Sequence, residues 1–140
     1  MDIKNIGTFG ISFSRDLDQS WLNLWRKDYG YSLDFYENVE GTNTEDDADV
    51  TEMKISFEEG EKLLSDIFER GKLESWQTQY KKEDEGLETS LNWTIDVDDL
   101  NDEQIFMISG NWKMPAEMME VLKVIRTHVE HYGKCFEDLR

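Results

Sequence analysis

Alternation of apolar with polar residues predicts most of the regular structure in this sequence, because successive side chains of a strand point to opposite faces of a sheet. The clearest case is the segment around Leu91, Trp93 and Ile95, where every second residue is apolar. Five segments alternate in this way and are predicted to be strands: residues 9–13, 31–35, 50–55, 76–80 and 87–97. A continuous apolar run, residues 105–108, predicts one more strand.

Residues 16–27 fit two patterns. Leu17, Trp21 and Leu24 match the spacing of a helical stripe, whereas residues 21–25 could equally form a strand buried on both faces. The strand is the preferred interpretation, because the turn signal Asp28-Tyr29-Gly30 follows it directly and an alternating segment comes next. Together the two segments predict a hairpin.

Two helices are predicted from their start signals. Ser56 and Glu59 form a capping box, and Gly71 is suited to the position after the helix end. Pro115 opens the second helix at its first position. The apolar residues expected to face the core recur at helical spacing: Leu63, Leu64, Ile67 and Phe68 in the first helix, and Met118, Val121, Leu122, Ile125 and Val129 in the second.

These elements predict an α+β fold in a single domain spanning residues 1–140, with a mainly antiparallel sheet of about six to seven strands and two helices. Each half of the chain runs strand, turn, strand, acidic loop, strand, helix, at an offset of roughly 55 residues. We therefore interpret the chain as a βββα unit used twice, with one extra strand in front. The two acidic loops would then occupy equivalent positions.

Charge is the strongest compositional signal: 15 Lys and Arg residues against 32 Asp and Glu residues give a net charge of −17. Two windows, residues 37–61 and 83–103, carry this whole excess, while the remainder of the chain is close to neutral. Such a molecule repels phosphate backbones and anionic lipid surfaces, which argues against nucleic-acid and membrane partners. A concentrated negative surface instead attracts a basic protein and accelerates its association.

The candidate partner-binding residues follow from this segregation. They are the carboxylates of the two acidic loops and two aromatic residues near the second loop, since Trp and Tyr are frequent in interface hot spots. The set is Glu45, Asp46, Asp47, Asp49, Trp76, Tyr80, Asp98, Asp99, Asp102 and Glu103. The alternative is that the acidic runs are solvated loops without a partner.

Catalytic motifs are not apparent: the sequence has no Walker loop, dinucleotide fingerprint, H-E-x-x-H or G-x-S-x-G. We expect no cofactor and no enzymatic activity. A metal site is a weaker alternative, because a continued final helix would place His128, His131 and Cys135 on one side. One cysteine permits no internal disulfide, and the N-terminus lacks the basic and apolar regions of a signal peptide. We therefore expect a cytoplasmic protein.

In size, acidity and α+β layout the chain resembles bacterial polymorphic-toxin immunity proteins, although it matches no residue motif of one such family. The resemblance implies tight binding to a cognate toxin domain, often a basic nuclease, whose active site the immunity protein occludes. The alternatives are a small ligand-binding or enzymatic domain with a pocket between sheet and helices, and a protein–protein adaptor whose partner is not a toxin.

Overall fold

The computed structural model describes residues 1–15, 18–38, 50–81, 91–111, 114–133 and 136. Its strands are β1 (Ile6–Arg15), β2 (Asp18–Lys27), β3 (Gly30–Asn38), β4 (Thr51–Ile55), β5 (Gln79–Lys81), β6 (Asn92–Asp99) and β7 (Gln104–Asn111). The α-helices are α1 (Phe57–Gly71) and α2 (Met118–Ile125), and short 3-10 helices occupy Ile3–Asn5 and Leu73–Ser75.

All seven strands belong to one sheet with the order β4-β3-β2-β1-β6-β7-β5. Every neighbouring pair is antiparallel except β5 and β7, which are parallel. The predicted α+β class, the strand number and the two α-helices are therefore confirmed. β1 lies in the middle of the sheet, so the first strand of the chain is hydrogen-bonded on both sides, to β2 and to β6.

The segment that fitted both helix and strand is strand β2, as preferred. Successive side chains of β2 alternate between two environments: Leu22 and Leu24 are buried, whereas 38% of Trp25 is exposed. The strand is thus buried on one face and not on both. It forms the predicted hairpin with β3 through a turn at Asp28 and Tyr29.

Strand pairing does not repeat between the two halves of the chain. The order strand, strand, strand, helix does occur twice after β1, but β2, β3 and β4 form a meander of adjacent antiparallel strands. In the second half β5 pairs with β7 instead of β6 and runs parallel to it. A parallel pair needs a crossover, which a pattern of hairpins does not predict. The two halves are therefore not equivalent in strand pairing, and residues 39–49 of the first acidic loop lie outside the described residues.

Helix α1 begins as predicted and ends differently. The backbone N–H of Glu59 donates to Oγ of Ser56 over 3.0 Å, which is the capping-box contact. At the other end Lys72, and not Gly71, adopts the left-handed conformation, with φ of 53°. Gly71 is the last helical residue, and a Cβ atom there would clash with the side chain of Val121 on α2. This glycine serves helix–helix packing.

Helix α2 is shorter than predicted and ends at Ile125. Turns follow, and they fold Tyr132 and Phe136 into the core, where both rings pack on Phe13. The hydroxyl of Tyr132 donates to the carbonyl of Ile11 in the central strand over 2.9 Å. Apolar residues beyond the end of α2 are thus buried by turns, and their positions do not follow the spacing of a helix.

A half-buried carboxylate ties this C-terminal segment to the sheet. Oε2 of Glu37 accepts hydrogen bonds from Oγ of Ser20 at 3.3 Å and from the backbone N–H of Gly133 at 3.2 Å. Burial raises the pKa of the Glu37 carboxyl above its ordinary value, although these two bonds and the charges of Arg126 and His131 oppose that shift.

Candidate binding face

The sheet has two unlike faces. One face and the two helices enclose the core, to which Phe9, Leu24 and Val97 contribute neighbouring side chains from three strands. On the opposite face the alternate positions are mostly polar, and two large apolar side chains there are open to solvent: 38% of Trp25 and 45% of Met107 are exposed. The side chains of this second face are therefore accessible to a partner.

The outward side chains of the central strand β1 are small, and those of its two neighbours are larger. Register along β1 places each small residue between one residue of β2 and one of β6. Thr8 lies between Trp25 and Asp98, Gly10 between Asn23 and Asp96, and Ser12 between Trp21 and Thr94. We call this strip the β1 trough. The strands on its two sides are two strand spacings apart, about 9.6 Å between backbones.

Gly10 is the smallest residue of the trough floor. A Cβ atom at this position would lie 2.6 Å from Oδ1 of Asn23, so the carboxamide of Asn23 extends over the glycine. An alanine at position 10 would displace that side chain. The absence of a side chain at Gly10 therefore lets the carboxamide of Asn23 extend over the trough floor, on the side opposite Asp96.

Asp96 is the most unusual group in the trough. Its Oδ1 atom is buried, and among the residues that the structure describes no donor lies within hydrogen-bonding distance of it. Its cross-strand neighbours, Gly10 and Met107, have no side-chain donor. Burial raises the pKa of the Asp96 carboxyl, and the nearby charge of Asp98 raises it further, against a hydrogen bond from the Val97 backbone. Such a carboxylate is costly to the fold and is a functional candidate for that reason.

Aromatic side chains line the β2 wall of the trough. The ring of Trp21 packs on Tyr36 with centroids 6.1 Å apart. The ammonium of Lys27 lies 5.1 Å from the centroid of Trp25, in cation–π geometry. Trp25 therefore already binds one cation of its own chain while its ring remains more than one-third exposed.

The trough opens at one end into a cleft of about 430 Å³ between the β2–β3 turn and the β6–β7 turn. Arg26, Lys27 and Asp28 line one side, and Asp99 and Asp102 line the other. Leu100, which is 54% exposed, lies among these carboxylates. The cleft thus combines an exposed apolar side chain with a rim that carries both carboxylates and cationic side chains.

The predicted acidic residues of the β6–β7 region have different roles. Oδ1 of Asp99 accepts from the backbone N–H groups of Asn101 at 2.8 Å and Glu103 at 3.0 Å, so this carboxylate shapes the turn. Asp102 is exposed and has a φ of 63°, a conformation that Asp and Asn tolerate. Asp98 lies in the trough, and the side chain of Glu103 is exposed.

The predicted aromatic anchors lie elsewhere. Trp76 and Tyr80 pack with the buried Trp93 on the core side of the sheet, with ring centroids 5.8–6.3 Å apart. The indole N–H of Trp76 donates to the carbonyl of Gly71 over 2.7 Å. The structure therefore does not bring these two residues together with the β6–β7 turn. The first-loop candidates Glu45, Asp46, Asp47 and Asp49 lie outside the described residues.

Trp21, Asn23, Trp25 and Asp96 were not among the candidates from the sequence. The available signal was the alternation of side chains along each strand: in β2 and β6 these residues occupy the positions between the buried ones. That signal identifies the outward face of each strand. It does not show that β2 and β6 flank the same strand, which is a long-range pairing.

Two of the predicted alternative metal ligands, His128 and His131, do not share a helical face, because α2 ends at Ile125. His128 and His131 lie in the turns that follow, and Nδ1 of His128 is 3.0 Å from Oγ1 of Thr127. Cys135 lies outside the described residues. Within the described part of the chain, no three His, Cys, Asp or Glu side chains are grouped so that they could hold a metal ion.

No protein-family profile matches this chain, and no curated protein is significantly similar to it. In the part of the chain that the structure describes, neither helix combines the length and apolar character needed to cross a bilayer.

Proposed function

We propose that this protein binds a basic protein through the β1 trough and the adjoining cleft, and that it acts as an immunity protein that occludes a nuclease-like toxin domain in the cytoplasm. The observation that carries the proposal is the combination on one open face of tryptophans from β2 with aspartates from β6. Aromatic anchors supply contact area, and the surrounding carboxylates select a cationic surface.

Occlusion by such a face requires no chemistry from the binder. The carboxylates of Asp98 and Asp102, with the overall charge of −17, attract a basic domain from a distance. Once the domain docks, the same carboxylates occupy the positions at which its active site would bind the phosphates of a nucleic acid. Trp25 and Leu100 then add apolar burial to an electrostatic encounter.

A second candidate function is small-ligand binding, as a ligand-binding or enzymatic domain. The observation that favours it is the cleft at the end of the trough, an open depression of about 430 Å³ whose lining combines Trp25 and Leu100 with charged side chains. A non-toxin adaptor would use the same face as the immunity protein. The two protein-binding functions therefore differ only in the identity of the partner.

Co-expression tests the proposed function. The C-terminal domain of the protein encoded immediately upstream is expressed in a bacterial host with and without this chain. We expect that domain to be basic and toxic alone, and growth to be restored when this chain is present. The double variant Asp98→Asn/Asp102→Asn should restore growth less well, whereas Glu58→Gln/Glu69→Gln, on the exposed side of α1, should act as wild type. A harmless upstream domain, or toxicity that this chain does not relieve, would contradict the immunity function.

A further inference from the structure

We propose that one arginine side chain of the protein partner occupies the β1 trough, with its guanidinium group on Asp96 above Gly10. This inference rests on the proposed function and specifies the chemistry of the contact. Three observations carry it: an acceptor that lacks a donor, a floor without a side chain, and aromatic rings on the opposite wall.

The acceptor is Oδ1 of Asp96. A buried carboxylate oxygen without a donor loses the hydrogen bonds that water would give it, so the folded protein gains when a donor reaches it. Within the described residues no such donor is present. The described lysines on this face are directed elsewhere: Lys27 lies over Trp25, and Lys54 lies over the ring of Tyr29 at 5.2 Å.

The floor at Gly10 has no side chain of its own and is covered by the carboxamide of Asn23. Asp96 and Asn23 face each other across this glycine. The backbones of β2 and β6 are about 9.6 Å apart, and a flat group enters between Asp96 and Asn23 when the Asn23 carboxamide turns aside from Gly10. The carboxamide of Asn23, which extends over Gly10, adds a second polar group on the other side of that space.

The ring and carboxylate chemistry favours arginine over lysine. A guanidinium group is planar, donates two parallel hydrogen bonds to one carboxylate, and stacks on aromatic rings. Trp21 and Trp25 flank Asn23 on the same face of β2. A lysine ammonium would satisfy one oxygen of Asp96 but would neither donate two parallel hydrogen bonds to it nor stack on an indole ring.

The test uses peptides as probes, so that it does not depend on the partner. The ¹⁵N-labelled full chain is titrated with acetyl-Gly-Arg-Gly-amide, with the same peptide containing lysine, and with its neutral isostere containing citrulline. We expect saturable shifts of the Gly10 amide and of the Trp25 indole with the arginine peptide, and at least about tenfold weaker binding of the citrulline peptide.

Variants assign the contact. Asp96→Asn should weaken arginine-peptide binding about tenfold or more. The control Glu58→Gln/Glu69→Gln should bind within about twofold of wild type, since a distant charge at moderate salt is screened. Asp96→Asn removes a charge that burial disfavours and is therefore expected to fold, which circular dichroism verifies. Equal binding of the citrulline peptide, or unchanged binding by Asp96→Asn, would overturn the inference.

The outcomes separate this inference from the proposed function. If the arginine peptide binds at Asp96 but the upstream domain is not inhibited, the immunity function fails and the arginine contact stands. If the upstream domain is inhibited equally by wild type and Asp96→Asn, the arginine contact fails and the immunity function stands. Lysine-peptide binding as tight as that of arginine would also overturn the inference.

Discussion

Replacing Asp96 by asparagine should stabilise the folded protein, although a random substitution in a central strand usually destabilises it. The change keeps the size of the side chain and removes a charge that burial disfavours and that Asp98 repels. Leaving a buried polar group unsatisfied costs about 1–3 kcal/mol and more for a charged group, and the asparagine amide removes only the part that is due to the charge. Asp96 is only partly buried, so we expect a gain near the lower end, about 1 kcal/mol, or an increase in Tm of about 3–5 °C.

The gain should depend on pH in a defined direction. The folded-state pKa of Asp96 is raised above its unfolded value, so the folded state retains the proton more strongly. Wild type therefore loses stability as pH rises from the ordinary aspartate pKa, about 3.9, through the raised folded value. The advantage of Asp96→Asn should be complete where the pH exceeds the raised folded value and should decrease towards zero as the pH falls below the ordinary aspartate pKa.

Urea denaturation at several pH values measures both effects. The matched control is Glu103→Gln, which removes one charge from an exposed side chain in the neighbouring turn and should change stability by less than about 0.5 kcal/mol. If Asp96→Asn is no more stable than wild type at pH 7, or if its gain is the same at every pH, Asp96 is not the unsatisfied carboxylate that the structure indicates.

Three further predictions concern the fold and its charge. Gly71→Ala should lower stability by about 1–3 kcal/mol in urea denaturation, because the new methyl group meets Val121 across the helix pair, and an unchanged midpoint would argue against that close approach. Glu37→Gln should keep an acceptor for Ser20 and Gly133 while removing a charge that burial disfavours. The stability of this variant relative to wild type should therefore rise between pH 4 and pH 7. A relative loss of stability over that interval would contradict burial as the cause of the raised pKa. The Tm of wild type should rise between about 10 and 300 mM NaCl as screening reduces the self-repulsion of a chain with net charge −17, and a flat or falling Tm would show that its carboxylates do not repel each other appreciably.

Local physics accounts for the parts of the fold that the sequence predicted. The capping contact between Ser56 and Glu59, the alternation of β6 and the β2–β3 hairpin each depend on residues a few positions apart. The α+β class follows from the number and kind of these local elements. None of them requires knowledge of which strands become neighbours.

The remaining features depend on long-range pairing and packing. The parallel edge strand β5 reaches its place because Trp76 and Tyr80 pack against Trp93, a contact between segments that hydrophobic alternation does not link. The same limitation applies to the candidate site. Trp25 and Asp96 belong to one face only because β1 pairs with both β2 and β6.

The association rate of the partner is the most direct measure of whether the β1 trough and its cleft form the docking surface. Stopped-flow mixing with the upstream-encoded domain at low salt compares Asp98→Asn/Asp102→Asn with the equally charged Glu58→Gln/Glu69→Gln. The account predicts that the first variant associates about three- to tenfold more slowly than wild type while the second changes less than about twofold, with smaller effects on dissociation. Equal rates for the two variants, or slower association of the α1 variant, would contradict it.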